Sequence, residues 1–398
     1  MTQALTQHTM RHTRFSRKRR AMLPHLGNLF LGKLYHALGG IHGQTTLFKR
    51  AVANGLRREH LESIIRQAKV SSDLPRLLYG VGENHFHRAL YWHDVGVKSR
   101  ARDHYLESSL WYLYAAVSAT APSLQEKALA RCESSYLLAS PHFTNPAELV
   151  AIQYPAGMLS AYLRLPVARV EEHTEGNAYI NANFPVAVLF NSLNAPKEEL
   201  HLTENALLAT GVATLSFDYP GYGLKNNGTD LSNFDVEELG NSLLLFLASR
   251  PEIDNSRVAA YGSGIGGRLA LYIAAKFTDR FRAIAALSAP LDLLADVHLL
   301  LPAMQHELAA STTCSKATIF DLARRTPLRP LLPYMKTPLL AVGGGRDIVA
   351  MPEETRAIYE ECGSTDKKLV ICAGAGHNCF EMMPSLRHEI AQWIRQRL

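Results

Sequence analysis

Three segments of the chain carry glycine, carboxylate and imidazole residues in an order suited to acyl chemistry. The segment GSGIGG runs from Gly262 to Gly267, Asp347 follows the apolar run LLAVGGGR, and His377 follows LVICAGAG. A carboxylate can orient an imidazole and stabilise its protonated form, and an imidazole held in this way is an effective general base. Asp347 and His377 therefore predict an acid–base dyad.

The glycine-rich segment corresponds to a turn that places a nucleophile between a strand and a helix. In the pattern G-x-S-x-G the central serine is the nucleophile, but residues 262–266 read GSGIG, with Gly264 at the centre and Ser263 one position early. Small residues are needed two positions either side of the centre, because the strand and helix backbones nearly touch there. Gly262 and Gly266 meet that requirement for Gly264, whereas bulky residues flank Ser263.

Glycine at position 264 excludes an acyl-enzyme formed there. The backbone N–H of Ile265, with one from the NSLNAP loop at Ser192 or Leu193, is predicted to form an oxyanion hole. The dyad could then activate a water or deprotonate an acidic substrate, so that retro-Claisen cleavage, decarboxylation or cyclisation needs no covalent intermediate. Two origins of Gly264 stay open: natural absence of the serine, or its deliberate replacement.

Other polar residues are candidates for substrate contact. Ser263 is predicted to be a turn hydroxyl bonded to local backbone, and we include it with Tyr222, from FDYPGYGLK, among the substrate-binding residues. Cys379, two residues after His377, is expected to pack rather than to replace the nucleophile.

The segment ENHFHRALYWHD adds His85, His87, His93 and Trp92. Of these, His85, His87 and Trp92 are predicted to contact an aromatic or polyoxygenated substrate if the helices cover the site. A metal site is the weaker alternative, since no complementary ligand spacing follows, and we predict none.

Two regions with different periodicity must position these residues. From about residue 23 to 143, apolar residues recur at three- and four-residue spacing, as in HYLESSLWYLYAAVSA, which predicts helices. Beyond Pro146, LVAIQYPAGMLSAYLRLP predicts a hairpin around Gly157, and apolar strands then alternate with helices, which predicts a mostly parallel sheet covered on both faces. Such sheets gather functional residues at the carboxyl ends of their strands. We predict a basic flexible tail at 1–22, a helical lid at 23–145 and an α/β domain at 146–398.

Composition narrows the class of protein. The net charge is +6, and six basic residues between positions 11 and 20 account for all of it, so the body has no electrostatic reason to bind nucleic acid. The five cysteines lack a CxxC pair and suit a reducing cytoplasm. We found neither a hydrophobic signal segment nor an apolar run long enough to cross a bilayer.

The order of glycine turn, aspartate and histidine at successive strand ends resembles the α/β-hydrolases. The helical first third, with RARDHYLESSLWYLYAA before the hairpin, resembles their FrsA-like esterase branch, which includes polyketide-shortening and 2,6-dihydroxypseudooxynicotine-type C–C hydrolases. The resemblance implies a helical lid over the site, no metal or organic cofactor, and acyl or 1,3-dicarbonyl substrates. The sequence departs from the family pattern at Gly264, which stands where the pattern has the serine nucleophile.

Two functions from different classes are consistent with these observations. The first is an enzyme that cleaves or rearranges an acyl or β-dicarbonyl, polyketide-like small molecule through the dyad and the oxyanion hole. The alternative is a disarmed pseudo-hydrolase with a regulatory or binding role. The missing serine favours the alternative, and the retained Asp347 and His377 favour the enzyme. A homodimer is an open alternative for the assembly.

Overall fold

The computed structural model describes residues 46–68, 73–119, 121–167, 183–192, 195–219, 234–293 and 316–398, without the side chains of 316–320. Within it, Thr46–Leu398 form one compact unit. The predicted basic tail at 1–22 lies outside the described residues, as do residues 23–45. The division between lid and α/β domain after residue 145 stays a prediction.

The first part of the described chain is helical, as its periodicity predicts. A helical segment at 46–53 is followed by α1 (Arg58–Gln67), α2 (Leu74–Asp94), α3 (Lys98–Ser118) and α4 (Pro122–Ala139). Prolines stand in the first turns of α2 and α4, where a missing N–H costs no helical hydrogen bond. Among the described residues, no helix combines the length and apolarity needed to cross a membrane.

An eight-stranded sheet forms the second part. Its strands are β1 (Ala147–Tyr154), β2 (Gly157–Arg164), β3 (Phe184–Phe190), β4 (Ala213–Phe217), β5 (Ile253–Ser263), β6 (Phe281–Leu287), β7 (Leu339–Gly344) and β8 (Lys367–Cys372). The spatial order is β1-β2-β4-β3-β5-β6-β7-β8. β2 pairs antiparallel with both β1 and β4, and the other pairs are parallel. The predicted hairpin entry and mostly parallel sheet are confirmed.

Helices cover both faces of this sheet. They are α5 (His201–Leu208), α6 (Val236–Ala248), α7 (Ile265–Lys276), α8 (Lys316–Arg325), α9 (Pro352–Glu361) and α10 (Met383–Arg395). Along β3, Val186 and Val188 join the core that contains α6 and α7, whereas Ala187 and Leu189 join the core that contains α10. Because alternate side chains enter two separate cores, the strand is apolar throughout.

Buried polar contacts attach the helical part to the α/β part. The Arg50 guanidinium donates to both carboxylate oxygens of Glu199, at 2.6 and 2.5 Å, and Glu199 also accepts from Asn54 and Tyr114. Arg387 of α10 donates to Asn54 Oδ1 at 2.5 Å. Removing one partner would leave a buried charge uncompensated, which is strongly destabilising. This network therefore holds the helices in a defined position on the sheet domain.

Candidate active site

The glycine turn joins β5 to α7 through Gly264, which has φ 56° and ψ −128°. A Cβ built on Gly262 would lie 2.4 Å from the carbonyl oxygen of Gly266, and one built on Gly266 would lie 2.2 Å from that of Phe190. Real Cβ atoms do not approach so closely, so both positions require glycine. These contacts are the close backbone approach expected on either side of a turn centred on Gly264.

Three polar atoms converge on the side of Gly264 from which a side chain would project. A Cβ built there lies 3.4 Å from Ser192 Oγ, 3.5 Å from His377 Nε2 and 3.6 Å from Asn378 Oδ1. All three distances are ordinary van der Waals contacts for carbon. There is therefore space for a short side chain at position 264, although the positive φ would strain it, and any such group meets a hydroxyl, an imidazole and an amide.

The imidazole of His377 is held by Asp347. Its Nδ1 lies 3.0 Å from Asp347 Oδ2 and 3.2 Å from Oδ1. The carboxylate also accepts hydrogen bonds from the backbone N–H of Val349 and Ala350, at 2.9 and 3.0 Å. With Nδ1–H donating to Asp347, the lone pair of Nε2 faces Gly264 and can accept a proton.

The Asp347 carboxylate stays ionised although its side chain is fully buried. Burial raises its pKa, but the charge of His377 and the hydrogen bonds from His377, Val349 and Ser288 lower it more, so the pKa lies below its ordinary value of 3.8. An ionised carboxylate at this position stabilises the imidazolium that forms when His377 accepts a proton. This is the electrostatic arrangement that a general base requires.

The sheet brings the two dyad residues together. Asp347 follows β7 and His377 follows β8, which are parallel neighbours, so the segments after them leave the same edge of the sheet. Backbone hydrogen bonds join the segments, from Gly345 N to Cys372 O at 2.8 Å and from Arg346 N to Ala375 O at 2.9 Å. The relative position of the dyad is therefore fixed by the backbone.

Sequence reasoning missed two residues, Asn378 and Ser288. Both have positive φ, 58° and 47°, and the Asn378 N–H donates to Ser288 Oγ at 3.0 Å. Asn378 is buried, and its Oδ1 has no hydrogen-bond partner among the described residues. Asparagine next to the strand-end histidine was an available signal, because asparagine tolerates the left-handed conformation.

The predicted oxyanion donors have different surroundings. Ile265 is the first residue of α7, where backbone N–H groups have no acceptor within the helix. The Ser192 N–H donates to Asn191 Oδ1 at 3.0 Å, so as an oxyanion donor it would have to leave this acceptor, and its predicted role stays a prediction. The Asn191 side chain folds back over the amide that follows it, and Ser192 presents its hydroxyl towards Gly264. Leu193 lies outside the described residues.

Ser263 differs from its predicted environment. It is buried, and its hydroxyl donates to the side chain of Asn191 at 3.4 Å rather than to local backbone. This partner is on the segment after β3, a long-range contact that local sequence does not reveal. Tyr222 lies outside the described residues. Cys379 is fully buried in the core beside α10, and burial raises the pKa of its thiol, which disfavours the reactive thiolate.

The aromatic and histidine residues of α2 do not share one surface. His85 is buried, with its Nδ1 2.7 Å from Glu107 Oε2, whereas His87 is exposed. Trp92 is half-buried beneath the Arg100 guanidinium, 4.4 Å from its ring centroid. Residues two apart on a helix do not face the same way, so His85 and His87 cannot line one substrate surface together.

Comparison with known proteins identifies a matching family model and several relatives of this chain. A family model described as the prolyl oligopeptidase family matches residues 241–398, which include Gly264, Asp347 and His377. The 2,6-dihydropseudooxynicotine hydrolase of Paenarthrobacter nicotinovorans is 28% identical over 151 residues, 38% of this chain and 38% of that relative. Esterase FrsA of Klebsiella pneumoniae subsp. pneumoniae is 26% identical over 307 residues, 74% of this chain and 70% of the relative.

Solved structures share the fold. The crystal structure of the 2,6-dihydroxy-pseudo-oxynicotine hydrolase superposes with a TM-score of 0.74 at 21% identity, covering 88% of this chain and 95% of that one. AbyA5 superposes with a TM-score of 0.59 at 18% identity, covering 80% and 92%. Both coverages exceed the share of residues 146–398, so both alignments include residues of the helical part. With its sheet order and its glycine turn, the chain has an α/β-hydrolase fold, and in sequence it is similar to esterase FrsA.

Proposed function

We propose that this protein cleaves an acyl or β-dicarbonyl small molecule by general-base catalysis, without a covalent intermediate. The observation that carries the proposal is the position of His377 Nε2, 3.5 Å from the Cβ position of Gly264, while Nδ1 is bonded to Asp347. The base faces the place where the nucleophile of a serine hydrolase would be. A nucleophile that occupies this place without being part of the chain would be activated in the same way.

Water fits this place by its hydrogen-bonding capacity. A buried water is stable with two to four polar partners, and the three converging atoms differ in character. His377 Nε2 and Asn378 Oδ1 can accept its two hydrogens, and the Ser192 hydroxyl can donate to its oxygen. The water is then oriented with its proton on the line to the base, which is the arrangement needed for proton removal during attack.

The proposed reaction is balanced without a cofactor. The water oxygen attacks a substrate carbonyl carbon while His377 takes its proton, and the Ile265 N–H stabilises the developing oxyanion. Collapse of the tetrahedral intermediate breaks the adjoining C–C or C–O bond. His377 returns the proton to the departing carbon or oxygen. A β-dicarbonyl substrate yields a carboxylic acid and a ketone, because the second carbonyl stabilises the departing carbanion as an enolate.

Substrate class rests on this chemistry and on the relatives. One relative is named as a hydrolase of 2,6-dihydropseudooxynicotine and another as an esterase, and both names denote small-molecule chemistry. A dyad without a serine favours substrates whose leaving group is already stabilised, since no acyl-enzyme divides the barrier into two steps. We therefore propose aromatic, polyketide-like 1,3-dicarbonyl compounds rather than simple alkyl esters.

The test compares three proteins on a panel of aryl 1,3-diketones and aryl esters: the unchanged chain, His377→Ala and Gly264→Ser. Formation of acid and ketone by the unchanged chain, lost in His377→Ala, is the expected result. Turnover that persists in His377→Ala would refute the role of the dyad.

A regulatory pseudo-hydrolase is the second candidate, and the absence of a hydroxyl at Gly264 favours it. In that case the unchanged chain turns over no member of the panel, and aryl-ester hydrolysis appears only in Gly264→Ser. The Asp347–His377 pair would then be a remnant, and binding of a metabolite to the site would replace turnover as its function.

A further inference from the structure

A second cluster of chemically active side chains lies in the helical part, on two adjacent antiparallel helices. His85 of α2 faces His104 and Glu107 of α3. His104 and Glu107 are three residues apart, so they project from the same face of α3. His85 Nδ1 lies 3.2 Å from His104 Nδ1 and 2.7 Å from Glu107 Oε2. One ligand atom from each residue lies within 4.8 Å of the other two.

These distances match those between ligands of one small cation. Zinc binds histidine nitrogen at about 2.0–2.1 Å and carboxylate oxygen at about 2.0–2.2 Å. Tetrahedral ligands at those lengths are separated by about 3.3 Å, and the two imidazole nitrogens already lie 3.2 Å apart. The His85–Glu107 contact must lengthen by roughly half an ångström, and the His104 and Glu107 ligand atoms, which lie within 4.8 Å of each other, must settle at a similar separation. Such a change is within the reach of side-chain rotation.

Hydrogen bonding alone leaves this arrangement incompletely satisfied. His85 Nδ1 can carry one proton, and both the Glu107 carboxylate and His104 Nδ1 lie within reach of it. If that proton is donated to Glu107, the two imidazole nitrogens face each other with at most a shared, bent hydrogen bond between them. A cation between the three atoms would accept one lone pair from each of them at once.

We propose that His85, His104 and Glu107 bind a divalent transition-metal ion, with zinc(II) the best match to a two-histidine, one-carboxylate donor set. The fourth position is open to water. His85 is buried, whereas Glu107 keeps about a third of its side chain exposed, 34%, which gives the ion a path from solvent. This site goes beyond the proposed function, because it shares no residue with the dyad.

Nearby positive charge limits the affinity. Arg88 interacts electrostatically with His104, and Arg57 does so with Glu107. Both guanidinium groups repel a dication, so we expect weaker binding than at a structural zinc site with four protein ligands. The ion joins α2 to α3 and should stabilise the helical hairpin rather than take part in catalysis.

The experiment is a zinc titration of the full-length protein, purified without a histidine tag and stripped with a chelator, followed by calorimetry. Glu107→Gln removes the ligand charge with almost no change in size, and His104→Ala removes an imidazole. The matched control is His87→Ala, an exposed histidine on α2. We expect one zinc site in the unchanged protein, weakened at least about tenfold in both ligand variants and unchanged in the control.

A second measurement distinguishes the loss of zinc binding from misfolding of a variant. At a zinc concentration 100 times the Kd of the unchanged protein, the Tm of that protein and of the control should rise by about 3 °C, and the Tm of Glu107→Gln should rise by no more than about half as much. Circular dichroism of the metal-free variants checks their fold, and if His104→Ala does not fold, Glu107→Gln alone decides. Absence of saturable zinc binding, or equal affinity in the Glu107→Gln and control proteins, would overturn the proposal.

Discussion

His377 Nε2 lies 3.5 Å from the position that a Cβ would occupy at Gly264. The imidazole thus retains, in a chain without the serine, the placement that a serine nucleophile would need. The same geometry suits a water molecule, which is why the proposed function keeps the dyad as a base and dispenses with the acyl-enzyme.

Restoring the hydroxyl should create a serine esterase. In Gly264→Ser the new Cβ meets only ordinary contacts, and its hydroxyl can reach His377 Nε2, so aryl-ester hydrolysis with a burst of product is expected. The left-handed backbone at this position should lower the free energy of unfolding by about 1–3 kcal/mol. Burst kinetics and urea unfolding measure the two effects.

Gly264→Ala is the matched control for that variant. It introduces the same backbone strain and the same Cβ but no hydroxyl, so it should lose similar stability and gain no esterase activity. Equal esterase activity in the alanine and serine variants would show that residue 264 does not act as the nucleophile in either.

Asn378 should matter for activity and not for stability. Its Oδ1 is buried without a partner among the described residues, so deleting the amide removes an unsatisfied group, and glycine accepts φ 58° without strain. Asn378→Gly should lower kcat/KM by about tenfold or more, in line with the loss of one positioned hydrogen bond at a reacting group, while Tm changes little. A large fall in Tm with unchanged kcat/KM would assign Asn378 a structural role instead.

Acid should destabilise the fold through His201. Burial, assisted by the charge of Arg164, lowers the pKa of His201 from 6.5 to about 3. The unfolded chain therefore binds a proton between these values that the folded chain does not, so this contribution to stability is complete above pH 6.5 and declines as the pH falls. Between pH 7.5 and 5 the free energy of unfolding should fall by about 2 kcal/mol from this residue.

The comparison that isolates this effect uses chemical unfolding at both pH values. His201→Gln should remove that part of the pH dependence, whatever its stability at pH 7.5, whereas the exposed histidine variant His87→Gln should keep the slope of the unchanged protein. Identical slopes in all three proteins would mean that His201 has the same pKa in the folded and unfolded states, which would contradict the prediction.

The sequence was sufficient to predict those features of the site that local chemistry and strand order determine. Gly262 and Gly266 indicated the centre of the turn because a Cβ cannot fit at either position. Asp347 and His377 could be placed at one edge because the ends of neighbouring parallel strands meet there. Neither inference needed knowledge of distant contacts.

Tertiary contacts determined the polar contacts that the sequence did not predict. The Ser192 N–H and the Ser263 hydroxyl both donate to the side chain of Asn191. These contacts depend on how the segment after β3 folds beside the end of β5. The pairing of His85 with Glu107 depends on the rotation of α2 against α3. Helical periodicity identifies the buried face of each helix, but it does not specify which polar residues meet across the interface.

The most direct test of the account is the rate of acid and ketone formation from an aryl 1,3-diketone by the unchanged chain and by His377→Ala and Asp347→Asn. We predict measurable turnover by the unchanged chain and losses of about 100- to 10,000-fold in both variants, since each removes general-base catalysis. No turnover by the unchanged chain, with ester hydrolysis only in Gly264→Ser, would contradict catalysis by the dyad without a serine.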